Sequence, residues 1–244
     1  MYDENKYTSS AEREARAAVP SGGTLINGFI NRVFSWMFAG LAITGCISWY
    51  LGNFQVERII QYRSAFLVLA LLEMGVVIAI SAGIRKFSSG IAALLFAAFA
   101  LLNGVTLSWL FVVYNPDVIA KAFCSASLTF GFMGLVGYTT KKDLSTIGSL
   151  CGMGLIGLII ASIINFFWYN STADFVISCI GVLLFVGLTA WDVQKIKLIA
   201  LQFAAEGTPA REVKKYAILG ALELYLDFIN IFLFMLRIFN GGKR

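Results

Sequence analysis

Seven mostly apolar stretches at 28–51, 64–84, 90–113, 118–138, 147–168, 174–195 and 217–238 leave this chain few ways to fold. About 20 apolar residues in a row cross a bilayer core as a helix. The pattern therefore predicts an all-α membrane protein of seven transmembrane helices. Composition agrees. Only 14% of the 244 residues are charged and 59% are hydrophobic, against about 25% charged in a soluble domain.

The last stretch, Ala217 to Ile238, is the unusual one. It carries Glu223 and Asp227 far from either end. A carboxylate at mid-helix costs roughly 3 kcal/mol on insertion scales, so such groups turn toward protein, water or a partner. Glu223, Asp227 and Asn230 fall at i, i+4 and i+7 and make one polar face. The sequence thus predicts a last helix wrapped by the other spans.

Residues 1–26 are polar, lack the apolar core of a signal peptide, and are expected to form a mobile tail. Pro20, Ser21, Gly22 and Gly23 read as a flexible connection into the membrane domain, 27–244. The joints between spans are short except the sixth, about Ile196 to Tyr216, which reads as long and polar. Thr208 and Pro209 within it form a helix-start signal, so the last helix can begin before the membrane. Trp49, Trp109 and Trp168 close spans one, three and five, where interface anchors belong.

Thirteen Lys and Arg lie on the N-terminal side and in the even-numbered joints, against five on the other side. Cytoplasmic loops carry the excess of basic residues, so the N-terminus is expected in the cytoplasm. The same rule accounts for the net charge of +5, and no nucleic-acid partner is expected. The four cysteines, each inside an apolar run, read as small buried hydrophobes with no metal spacing. With no histidine in the chain, any pH response falls to carboxylates or other groups.

At a rise of about 1.5 Å per residue, Glu73 in span two and Asp227 share a level near the middle. Glu223 lies nearer the cytoplasm, and Asp192 and Arg85 lie on the cytoplasmic side. Glu73, Glu223 and Asn230 are candidates for a cation path, in a column of four carboxylates with the two aspartates. The depths of Asp192 and Asp227 differ by roughly 10 Å if span six ends near Lys195. If they meet, two carboxylates in low dielectric hold one proton between them. Hard oxygen ligands of this kind also suit Ca²⁺, making Asp192 and Asp227 the candidate calcium-binding residues. Arg85 is the expected latch on Asp192, since a guanidinium can hold a carboxylate by two hydrogen bonds.

Three motifs carry a resemblance: Gly137-Tyr138-Thr139-Thr140-Lys141-Lys142-Asp143-Leu144, Gly187-Leu188-Thr189-Ala190-Trp191-Asp192-Val193-Gln194-Lys195, and Leu224-Tyr225-Leu226-Asp227-Phe228-Ile229-Asn230-Ile231-Phe232. In this order they are similar to the Bax inhibitor-1 (transmembrane Bax inhibitor motif) family, and the chain looks like a bacterial inner-membrane member. The resemblance implies seven helices with the last surrounded by the other six. It also implies a pH-sensitive calcium leak whose paired aspartates fall on Asp192 and Asp227, and an arginine latch for which Arg85 is the nearest match. A regulatory role as partner of a membrane-bound AAA protease is the alternative it implies, with the tail and the 196–216 joint as contact surfaces. An intramembrane aspartyl protease also uses two aspartates on consecutive helices. Here, however, Asp227 follows Leu224-Tyr225-Leu226 rather than Gly-x-Gly, and no Pro-Ala-Leu occurs. The expected role is therefore non-enzymatic, with no cofactor beyond Ca²⁺ as permeant or bound ion.

Overall fold

A computed structural model describes residues 22–62, 64–84 and 86–241. The described elements, in order, are α1 (Gly22–Phe54), α2 (Val56–Gln61), α3 (Ala65–Gly83), α4 (Ser89–Leu107), α5 (Leu110–Val113), α6 (Pro116–Thr139), α7 (Ser145–Phe167), α8 (Ser171–Glu206) and α9 (Ala210–Phe239). Among the described residues, six helices are long and apolar enough to cross a membrane: α1, α4 with α5, α6, α7, α8 and α9. Helix α3, with 19 residues, covers the second predicted span.

The outer surface identifies the solvent. Leu94, Leu128, Phe166 and Leu183 are each about 70% exposed or more, and Phe38, Leu71 and Ile156 are likewise exposed. A soluble protein does not carry apolar surface on this scale. Hydrocarbon covers it here, and the protein is a multi-pass helical membrane protein.

The interior belongs to α9. It has the largest buried share of any candidate span, 61%, and packs against α1, α3, α4, α6 and α8, while α7 packs on α8. Ile218, Leu222, Leu224, Tyr225, Ile231 and Leu236 are almost fully enclosed.

Three local expectations are corrected. Gly22 and Gly23, expected in a flexible connection, lie in the first turn of α1. The third span is broken at Ser108 and Trp109, where the Ser108 hydroxyl donates to the Val105 carbonyl at 2.6 Å instead of leaving the ladder undisturbed. Most important, the sixth joint is not a loop. Helix α8 continues eleven residues past Lys195 to Glu206, α9 starts at Ala210, and only Gly207 to Pro209 separate them. Gly207 takes φ +64°, a left-handed conformation that glycine adopts without steric cost, and its N–H caps the Phe203 carbonyl. Phe203 seals the hairpin, packing edge-on against Phe29 (centroids 5.6 Å apart) and Tyr216 (5.4 Å). The rest of the predicted tail, 1–21, and the C-terminal residues 242–244 lie outside the described residues.

Candidate functional site

The helical hairpin places the two aspartates. Asp192 is 14 residues before the end of α8, and Asp227 is 17 residues after the start of α9. At about 1.5 Å per residue these are roughly 21 and 26 Å from the hairpin tip. The depth gap expected from a shorter span six is therefore closed by the continuation of α8. The carboxyl groups of Asp192 and Asp227 lie within hydrogen-bonding reach of one another. They are 8% and 5% exposed.

Two close approaches hold α8 at this level. At Gly137 of α6 any Cβ would run into the Ala190 carbonyl, and at Gly148 of α7 it would run into the Trp191 indole. Gln194 then fastens the α6–α7 loop to α8. Its Oε1 accepts from the Leu144 N–H at 2.8 Å, and its Nε2 donates to the Lys142 carbonyl at 2.8 Å. The first two sequence motifs are thus halves of one clamp, on either side of Asp192.

The positive charge beside the aspartates comes from Lys195. Its Nζ donates to Glu223 Oε1 at 2.8 Å and lies 3.8 Å from Asp192 Oδ1. The same ammonium stands 5.3 Å from the Trp191 ring centroid. Glu223, Lys195, Asp192 and Asp227 therefore form one cluster across the α8–α9 interface. The cluster is asymmetric: Lys195 and Glu223 are about a third exposed, whereas Asp192 and Asp227 are enclosed. Among the described residues, Asp227 Oδ2 is the buried side-chain polar atom that no hydrogen-bond partner satisfies. Thr189, fully buried and beside the same carboxyl, gives its own proton to the Phe185 carbonyl at 2.7 Å.

Glu73 does not join this cluster. Its Oε2 accepts from Asn103 Nδ2 at 3.0 Å, and its Oε1 accepts from the Thr106 hydroxyl. Asn103 Oδ1 accepts from Tyr225 Oη at 3.0 Å, and Tyr225 Oη meets Thr44 Oγ1 at 2.7 Å. Thr44 reaches the Ala100 carbonyl at 2.9 Å. The predicted column of four carboxylates is thus two separate polar groups, because Tyr225 and Asp227, two residues apart, point to opposite sides of α9. Asn230 turns back on its own helix and donates to the Leu226 carbonyl at 2.8 Å. Arg85, the expected latch, lies outside the described residues.

Lys195 and Gln194 stand inside the second sequence motif, yet the motif does not reveal what they do. The signal for Lys195 is its i+3 spacing from Asp192. The signal for Gln194 is absent from local sequence, since its partners are 50 and 52 residues away.

Among the described residues no three acidic, thiol or imidazole groups converge to hold a metal ion. In this packing the Lys195 ammonium occupies the place between Asp192 and Glu223 that a cation would take.

Comparison with known proteins gives the same assignment across nearly the whole chain. Residues 26–244 match the family described as inhibitor of apoptosis-promoting Bax1. Inner membrane protein YbhL of Escherichia coli K12 is 42% identical over 218 residues, 88% of this chain and 92% of that protein. An uncharacterised protein of Deinococcus radiodurans is 39% identical over 213 residues, 87% and 90% of the two chains. One of Borreliella burgdorferi is 39% identical over 221 residues, 89% and 93%. With all three motifs assembled around one helical hairpin and the match running from residue 26 to the end, this chain belongs to the Bax inhibitor-1 family.

Proposed function

We propose that this protein is a cation leak of the bacterial inner membrane, with calcium as a cargo and the Asp192–Asp227 pair as its proton-sensitive gate. The observation that carries the reading is the enclosed Asp227 carboxyl, one oxygen of which has no partner, set beside a second carboxyl. A proton held between the two carboxyls supplies the missing bond, and its loss leaves two adjacent anions that repel across the α8–α9 interface. Separation of the helices there opens a route lined by acids, and Lys195 must leave Glu223 for a divalent ion to enter. Lys195 is in this sense a tethered cation that competes with the cargo. The same reading takes α3 as a seventh crossing, the N-terminus as cytoplasmic and Arg85 as a second cation available to Asp192.

Purified protein in liposomes loaded with a calcium dye tests this. Uptake should change with pH between 5 and 8, and Asp192→Asn should flatten that profile. Lys195→Met should raise uptake severalfold at every pH. Wild-type protein that passes no Ca²⁺, Na⁺ or K⁺ at any pH would reject the leak. The regulatory reading then stands, with Leu198 and Leu201, exposed on the extension of α8, as part of a contact surface for a membrane protease.

A further inference from the structure

Helices α1 and α6 form the two walls of a crevice, and Phe228 of α9 lies at its back. The cavity measures ≈ 860 Å³. Phe34, Phe38 and Leu41 line one wall, and Phe123, Phe130 and Leu135 the other. Phe38, Phe123 and Leu135 are half exposed or more, so the crevice opens sideways onto lipid. Small residues, Gly45, Gly131 and Gly134, make room in it. At one end it becomes polar, at Asn27, Asn31 and Tyr138.

A basic side chain stands at that end. Lys197 Nζ donates to the Tyr138 carbonyl at 2.7 Å and lies 5.2 Å from the Tyr138 ring centroid. This leaves ammonium protons for a further acceptor. Exposed Arg32 and Lys141 lie one residue from Asn31 and three from Tyr138. Among the described residues, no acidic side chain lines the cavity. From Asn31 to Gly45 the crevice follows 14 residues of α1, roughly 21 Å, while half a hydrocarbon core is about 15 Å. A hydrophobic slot that starts at a basic mouth and runs past mid-leaflet depth has the chemistry of a headgroup site with an acyl chain below it. Basic pockets between membrane helices take anionic headgroups in this way.

We propose that this crevice is a binding site for an anionic phospholipid, with one acyl chain between α1 and α6 and the phosphate at Lys197. The site is separate from the α8–α9 cluster and stands whether or not the protein conducts ions.

Two glycines allow a test that spares the fold. A Cβ at Gly45 or at Gly131 meets nothing within 4 Å, so Gly45→Leu and Gly131→Trp fill the slot without a backbone clash. Purified protein would be placed in phosphatidylcholine vesicles containing a small share of phosphatidylglycerol with a photoactivatable acyl chain, irradiated, and its peptides mapped by mass spectrometry. Adducts should concentrate on residues 30–46 and 123–138 and disappear from both in the two filled variants, while sparse adducts on α7 persist. Lys197→Gln should lower the yield severalfold, to that of an equivalent photoactivatable phosphatidylcholine. Even labelling of all lipid-facing helices, or unchanged labelling in the filled variants, would show ordinary boundary lipid and overturn the proposal. Equal yields from the two lipids in wild-type protein would overturn its anionic character. Crosslinks between two copies of the chain through the crevice walls would give the slot to a second copy instead.

Discussion

On one side of α9, Tyr225 is fully buried and its hydroxyl sits among Thr44 of α1 and Asn103 of α4, with Glu73 of α3 joined through Asn103. On the other, roughly 200° around the helix, Asp227 faces Asp192 with one oxygen unsatisfied. Each side buries polar atoms at a similar level of the same helix. The Tyr225 side finds a partner for each group and is braced by Phe96 and Phe99, whose rings meet Tyr225 at 6.0 and 5.4 Å. The Asp227 side sets like charges together and balances them with a partly exposed lysine. A closed network specifies packing. In the proposed gating, a cluster that one proton or one cation can tip supplies the switch. Glu73 is hydrogen-bonded into the closed network, although its depth in the sequence suggests the other side.

The comparison breaks most directly at Asn103, the centre of the closed network. Asn103→Leu leaves Glu73 and Tyr225 buried with lost partners, and each such group costs about 1–3 kcal/mol. Unfolding in detergent should show a loss of about 2–3 kcal/mol, while the pH profile of flux keeps its shape. Asp227→Asn should do the reverse. Its stability should change by less than about 1 kcal/mol, since an oxygen without a partner is replaced by an amide that can donate. The flux profile should flatten, and adding Asp192→Asn should do little more, because the pair acts as a unit. A large stability loss in Asp227→Asn with an unchanged pH profile would make both sides structural.

Tyr225→Phe sharpens the contrast with a smaller step. It keeps the rings packed and deletes one hydroxyl, at a cost of about 1 kcal/mol, read as a lower unfolding midpoint without a change in flux. The smallest effect lies outside the membrane. In the α6–α7 loop, the Ser145 backbone N–H and then its hydroxyl hold the Asp143 carboxyl below its ordinary value of 3.8. A depressed folded value means the contribution is present above the unfolded value and fades as pH falls through the folded one. An NMR titration of the Asp143 carboxyl should give a midpoint below 3.8, and Ser145→Ala should move it up.

The membrane helices are legible in the sequence because apolar runs of this length have few alternatives, and six described segments are long and apolar enough to cross. The hairpin tip is not legible as helix. Lys197, Glu206, Arg211, Glu212, Lys214 and Lys215 make residues 196–216 look like a loop. The apolar residues among them, Ile196, Ile199, Ala200 and Phe203, repeat at i, i+3, i+4 and i+7, the pattern of a half-buried helix. Charge density masks that periodicity, and the apparent gap between the aspartates follows from it. Asp227 is legible as a site because an acid in mid-membrane needs a reason. The assignment of Glu73 is not, since depth along a helix says nothing about which way a side chain faces.

The tight turn at Gly207 to Pro209 also bears on how the protein is made. Asp192 and Asp227 are 35 positions apart along the chain, and the turn folds them side by side. The α9 segment is the one least suited to enter lipid by itself, with Glu223 and Asp227 in its middle. Arriving as a hairpin, it meets Lys195 and Asp192 on the segment just before it, so its charges can be matched before they face hydrocarbon. Lengthening the turn with a flexible linker should then slow or misdirect integration of α9, even though every contact of the finished bundle is still available.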